Sequence, residues 1–457
     1  MIPSGIVNGS VLDTLFVSMA ILGILLIVGT ILRLYVPFFK KFYFPASLIA
    51  GFIGLLLGPS VLKVIPENIV SAWSSMSGKL IVLVFAPMLM GARKTSVKKY
   101  ARRTFNSICY GYVGSLAQYA IPLLLAVALS SLFGTHELFG TTFEEGWCGG
   151  HGTASGMLAV FEELGWPEGQ SIAVTNATIG LICGIFGGVV LINIAARKGW
   201  TQHLTTNGES LSITNKEKEL YNVESEKSTD TKLAISGKVI DNFAFHAAIL
   251  AVAVFLGWIA TYLLKTYLNF SISWFVTAMF AGGLVQLVLN KTKWGDAVDT
   301  KVYSRIQGIS LDFLVAGAVA SMNLKAIADN IVPISIISVA LLAFMVIFSL
   351  FYARGIFGSD WFENSMLTYG MYTGVAATGM LLLKVCDPES KSDALSLYAA
   401  RAPFSSWALG GGIITSMAPI WVSQIGALNA GLIALGITVV IALLPIICRT
   451  WYKKEER

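Results

Sequence analysis

The stretch EEGWCGGHGTASGML, running from residue 144 to 158, gathers the side chains with the most chemistry. Gly149, Gly150 and Gly152 fall within four positions, beside Cys148, His151, Thr153 and Ser155. Glycines so placed let the backbone turn where side chains would block it, and peptide N–H and C=O groups can then approach a ligand. The same pattern also serves tight helix packing. His151 is suited to donating a hydrogen bond to a carboxylate or to holding the loop. Thr153 and Ser155 offer hydroxyls to a substrate or to Na+, Cys148 is a small residue beside the loop, and Glu144 and Glu145 are expected at its solvated mouth.

A second set lies in the later half of the chain. Arg401, in SLYAARAPFSSW, falls inside an apolar run, where a charge is costly and marks a function or a partner. Its guanidinium matches a carboxylate bidentately. An ion pair with Asp312, or snorkelling to the membrane edge, is the alternative. Ser405 and Ser406, one turn on, are placed to complete an anion pocket. Asp312, in GISLDFLVAGAV, offers a hard oxygen to Na+ or a carboxylate for protons, and a place at the interface is the competing role. Asn176 is a further candidate Na+ ligand, with Asn193, Thr373 and Thr378 as other uncharged ligands.

The elements that must position these groups are membrane helices. Of 457 residues, 55% are hydrophobic and only 13% charged, more apolar than a soluble core requires. The 44 glycines fit closely packed or broken helices. The net charge of +6 comes from short basic loops beside apolar runs, and no basic stripe with interleaved aromatics points to nucleic acid. The five cysteines form no C-x-x-C pair and are expected reduced. The first apolar run lacks a basic leader and a cleavage site, so it reads as a retained helix.

Full spans are expected at 11–35, 44–65, 74–92, 104–133, 171–196, 239–265, 273–290, 306–324, 331–353, 394–417 and 420–447. Two glycine-rich stretches, about 139–162 and 361–384, are interrupted by polar residues and read as re-entrant hairpins. The basic run Arg93 to Arg103 anchors the cytoplasmic side; counting outward places the N-terminus outside and the C-terminal tail in the cytoplasm. Residues 197–238 are polar and form a flexible cytoplasmic linker.

The two interrupted stretches resemble each other. ASGML (154–158) recurs as ATGML (377–381), each after glycines, Gly370 and Gly374 in the second case, and each before a polar hinge and a long apolar helix. The predicted fold is an all-α polytopic membrane protein of two inverted-topology repeats. The N-terminal repeat occupies 1–196 and the C-terminal repeat 239–417, each with five transmembrane helices and one re-entrant loop. An extra helix and basic tail fill 418–457. Such a plan suits alternating access in a secondary transporter, with the two hairpin tips approaching each other near the midplane.

GGHGTASG followed by FEELGW and ATIGLICGIFGG, together with FPASLIAGFIGLLLG at 44–58, resembles the bacterial glutamate:sodium symporters over most of the chain. The resemblance implies a Na+-coupled symporter, a homodimer in the bacterial inner membrane, with glutamate as substrate of the best-known members and no cofactor beyond the coupling ion. The second hairpin, TYGMYTGVAATGML, carries alanines where more glycine is expected, and an extra C-terminal helix follows the tenth span. The 2-hydroxycarboxylate transporters share a similar plan and supply the alternative substrate, with Na+ or H+ coupling. A primary pump is disfavoured by the lack of G-x-x-x-x-G-K-[ST], and a membrane hydrolase by four histidines in no catalytic motif. An ion channel with paired re-entrant loops remains the other class.

Overall fold

The computed structural model describes residues 9–41, 44–90, 101–202, 240–268, 272–292, 298–387 and 391–452, and among these there is no β-strand. The basic anchor at 93–100, most of the 197–238 linker and the tail beyond Tyr452 lie outside the described residues. Helices α1 (Gly9–Tyr35), α2 (Ala46–Leu57) and α3 (Glu67–Phe85, prolonged by a 3-10 turn to Leu89) are followed by α4 (Ala101–Phe133). Three short pieces come next, α5 (Thr141–Trp147), α6 (Gly150–Gly156) and α7 (Leu158–Glu163), and then the long α8 (Glu168–Lys198). The later half contains α9 (Asn242–Leu268), α10 (Trp274–Leu289), α11 (Thr300–Ala320) and α12 (Ile331–Ile347), the last running into a π-helical turn at Phe348–Tyr352. After it come α13 (Trp361–Thr373), α14 (Ala376–Cys386), α15 (Ala394–Ser405), α16 (Ile413–Ile425) and α17 (Ala427–Ile447).

Seven of the described helical runs are long and apolar enough to cross a membrane. Their outward faces carry large apolar residues, Phe16, Ile24 and Ile27 on α1 and Leu432, Val440 and Ile447 on α17 among them. That is the pattern of helices solvated by lipid. Helices α1, α2, α3 and α11 share one core around Leu22, Ala50, Trp73 and Ala316. Helices α4, α12 and α13 enclose another around Tyr110, Ile337 and Phe362.

Three expectations change. The second span is a helix only over Ala46–Leu57, because Gly58, in an extended conformation, ends it, and Lys63 at φ 57° turns the chain before α3. The tenth span, expected as one helix over 394–417, is two. Helix α15 stops at Ser405, Gly410 and Gly411 adopt φ of 61° and 103°, and α16 begins at Ile413. The last helix consequently starts at Ala427, after a further turn at Gly426, and not at 420.

Both interrupted stretches break where the sequence is richest in glycine. The first stops at Trp147 and resumes at Gly150, whose φ is 69°. The second stops at Thr373 and resumes at Ala376 through an extended Val375. The breaks touch: a Cβ on Gly150 would lie 2.5 Å from Val375 Cγ1 and 3.2 Å from the Gly374 carbonyl oxygen. Helix α8 runs behind both, and the glycines of its GLICGIFGG segment let the second stretch approach. A Cβ at Gly184 would lie 2.5 Å from Thr373 Oγ1, and one at Gly187 or Gly188 would collide with Tyr369 or Leu382.

Candidate functional site

The two breaks and the third one, at 406–412, surround a cavity of about 260 Å³. Cys148 and Gly149 line it from the first break, Val375 and Ala376 from the second, Leu409 and Gly410 from the third, and Arg401 with Ser405 from α15. It is smaller than the ~300–1,000 Å³ typical of drug-sized ligands, and so matches a small molecule.

Arg401 is 2% exposed. Its guanidinium donates to Thr368 Oγ1 at 3.1 Å, approaches the Met371 sulfur at 3.7 Å, and lies 5.7 Å from the ring centroids of both Tyr372 and Tyr398. Among the described ion pairs none involves Arg401. The alternative partner, Asp312, faces Ser47 and Arg33 on an exposed side of α11. Gly111 and Gly114 on α4 make room for the Tyr372 ring, which holds the guanidinium at the cavity wall. A cation buried this deeply with no carboxylate is costly unless an anion joins it.

The first interrupted stretch divides its residues between the cavity wall and scaffolding. Gly149 lines the cavity, and Gly150 is the contact between the two breaks. His151 is buried, with Nε2 3.0 Å from Thr178 Oγ1, which ties the stretch to α8. Gly152 packs on Leu311, and Thr153 lies beside Gly411 of the third break. Ser155 is fully buried and its hydroxyl has no partner. In the second interrupted stretch Thr373 Oγ1 donates to the Tyr369 carbonyl at 2.8 Å, Gly374 continues the turn, and Thr378 Oγ1 covers Gly374. Ser405 returns a 3.3 Å hydrogen bond to its own helix at the Arg401 carbonyl. Asn176, fully buried on α8, donates to Thr142 Oγ1 at 2.9 Å.

Glu144 and Glu145 correct the expectation of a solvated mouth, since both are fully buried. Glu144 accepts from Ser115 Oγ at 2.8 Å, from the Tyr119 hydroxyl at 2.6 Å and from the Gly410 N–H at 3.2 Å. It thereby fastens the third break to the first. Tyr372, Tyr398 and Thr368 around Arg401 were also missed, because aromatic and hydroxyl residues are common in membrane helices and nothing in their spacing marks them. The third break did leave a signal, the run Gly410–Gly412 after a helix containing Pro403.

The broken helices, the lipid-facing apolar spans and the buried unpaired arginine define a multi-pass membrane transporter. The family model described as sodium/glutamate symporter matches residues 11–381, and the chain belongs to that family. It is a transporter family and not an enzymatic one. No curated protein matches the chain. Among solved structures, that of the sodium proton antiporter MjNhaP1 from Methanocaldococcus jannaschii is similar, with a TM-score of 0.42 and 16% identity. The match covers 93% of this chain and 99% of that one.

Proposed function

We propose that the protein carries glutamate, or a closely similar small anionic amino acid, into the cell together with Na+ by alternating access. The observation that carries this is Arg401, 2% exposed, without a carboxylate, on a cavity walled by three chain breaks. The guanidinium takes a substrate carboxylate, and the free N–H groups at the start of α14, whose first residue Ala376 lines the cavity, add donors. Gly149, Gly150 and Gly374 keep the backbone bare at the point where the hairpins touch.

In this proposal 1–196 and 239–417 are inverted-topology repeats and the interrupted stretches are re-entrant hairpins. The contact of Gly150 with Gly374 and Val375 supports it, since that is where tips entering from opposite sides would meet. The chain would sit in the bacterial inner membrane as a homodimer, N-terminus outside and C-terminus cytoplasmic, with 197–238 as a cytoplasmic linker.

Competition against labelled glutamate in proteoliposomes tests the substrate. Glutamate and close analogues are expected to compete strongly, and dicarboxylates or hydroxycarboxylates weakly. Stronger competition by a hydroxycarboxylate moves the protein to that substrate class, and conductance without counterflow makes it a channel.

A further inference from the structure

We infer that Glu145, Asn176 and Gln118 form the site for the coupling Na+, at the meeting point of the two half-helices α5 and α13; this rests on the Na+-symport reading above. All three side chains are fully buried, and each ends in oxygen that accepts no hydrogen bond. Both oxygens of Glu145 are in that state, with the Thr141 hydroxyl its nearby polar neighbour. The Gln118 amide nitrogen donates to the Tyr372 carbonyl at 2.7 Å, so its Oε1 is turned away and unpartnered. A carbonyl can only accept, which fixes that orientation. Asn176 is fixed in the same manner. Thr142 spends its proton on the Phe139 carbonyl at 2.7 Å and accepts from Asn176 Nδ2, leaving Asn176 Oδ1 bare.

Packing places the three on segments that touch one another. Asn176 Cβ would lie 2.8 Å from a Cβ on Gly146, the residue after Glu145. One turn further along α8, Gly180 meets both the Trp147 ring and the Thr373 carbonyl, the last residues of α5 and α13. Gln118 holds the carbonyl of Tyr372, the residue before Thr373. The C-terminal ends of two half-helices therefore converge here, with the partial negative charge of their terminal carbonyls. A carboxylate, two amide oxygens and two helix C-termini are a donor set for a hard cation, and one carboxylate matches a single positive charge. A buried carboxylate with no partner otherwise costs several kcal/mol. The Arg401 cavity is lined by Gly149, Val375 and Ala376 of the same two breaks. Cation and anion sites thus share the elements that must move together.

The test is thermal unfolding of the full-length purified protein titrated with NaCl against choline chloride at constant ionic strength. The wild type is expected to gain stability with Na+. Glu145→Gln, Asn176→Ala and Gln118→Ala should each raise the half-saturating Na+ concentration at least tenfold, and Asp312→Asn should leave it unchanged. Should Glu145→Gln fail to fold, Asn176→Ala, which removes one neutral amide, carries the test. Wild-type half-saturation in Asn176→Ala and Gln118→Ala overturns the site while leaving Na+ symport standing, as does loss of the Na+ response in Asp312→Asn. A wild type indifferent to Na+ overturns the Na+ reading itself.

Discussion

Replacing Arg401 separates a substrate clamp from a structural arginine, because the two roles move stability in opposite directions. The guanidinium has one hydroxyl partner, Thr368 at 3.1 Å, a sulfur at 3.7 Å and the faces of two tyrosines. Arg401→Met keeps most of the volume and removes a desolvated charge that makes no ion pair among the described residues. The unfolding midpoint without substrate should stay the same or rise. With substrate the charge becomes half of a buried pair, and losing one partner of such a pair costs about 2–5 kcal/mol. At about 1.4 kcal/mol per tenfold, apparent affinity for glutamate should fall from roughly 30-fold to several thousand-fold. Arg401→Lys retains the charge without the planar fork and should also lose at least about tenfold, since bidentate recognition is what the substitution removes. The assay is paired: concentration dependence of uptake in proteoliposomes, and the midpoint with and without saturating substrate. Unchanged affinity in Arg401→Met, or a collapse of the substrate-free midpoint with the substrate-induced shift intact, would refute the clamp and make Arg401 structural.

Gly150→Ala places a methyl 2.5 Å from Val375 Cγ1 at a φ of 69°. The conformational cost of about 1–2 kcal/mol adds to about 1–3 kcal/mol of overpacking, so the midpoint and transport should both fall. Adding Val375→Ala should restore only the overpacking share, and full restoration would show that the positive φ is unimportant. Glu144→Ala leaves the Ser115 and Tyr119 hydroxyls and the Gly410 N–H without an acceptor at a buried site, at about 1–3 kcal/mol each. A steep loss of thermal stability is expected, milder in Glu144→Gln, and equal midpoints for the two variants would contradict it. His136, in the turn between α4 and α5, stacks on Trp166 with ring centroids 4.4 Å apart; burial holds its pKa below the ordinary value, with Glu137 and Glu168 opposing. As pH falls through about 6.5 the unfolded chain binds the proton first, so stability declines, and His136→Phe should flatten that part of the pH–midpoint curve.

Much of the fold follows from apolar run length alone, and α1, α4, α8 and α9 lie close to where 20-residue runs between polar breaks place them. Breaks were legible where glycines cluster beside polar residues, at Gly149–Gly150 and Gly374. The third break was less so, because the glycine run Gly410–Gly412 has no polar residue beside it and sits in an otherwise apolar segment, and its positive φ values are what establish the turn. Arg401 was legible as a charge inside an apolar segment. Its cage was not, since Thr368 and Tyr372 come from a different helix and meet it only after folding. The glutamates fail for the same reason. The donors to Glu144 lie on α4 and in the third break, so local sequence shows two adjacent acids at a loop and suggests water where the protein supplies a hydrogen-bonded socket.

The central claim is that cation and anion move together through one site between the chain breaks. Its most direct measurement is labelled glutamate accumulation in proteoliposomes of the purified protein under an inward Na+ gradient, with K+ and choline gradients as controls and counterflow by unlabelled glutamate as the carrier signature. The account predicts concentrative, Na+-dependent uptake with counterflow, abolished when the Na+ gradient is collapsed. Uptake that equilibrates without concentrating, is indifferent to Na+ and shows no counterflow would contradict it.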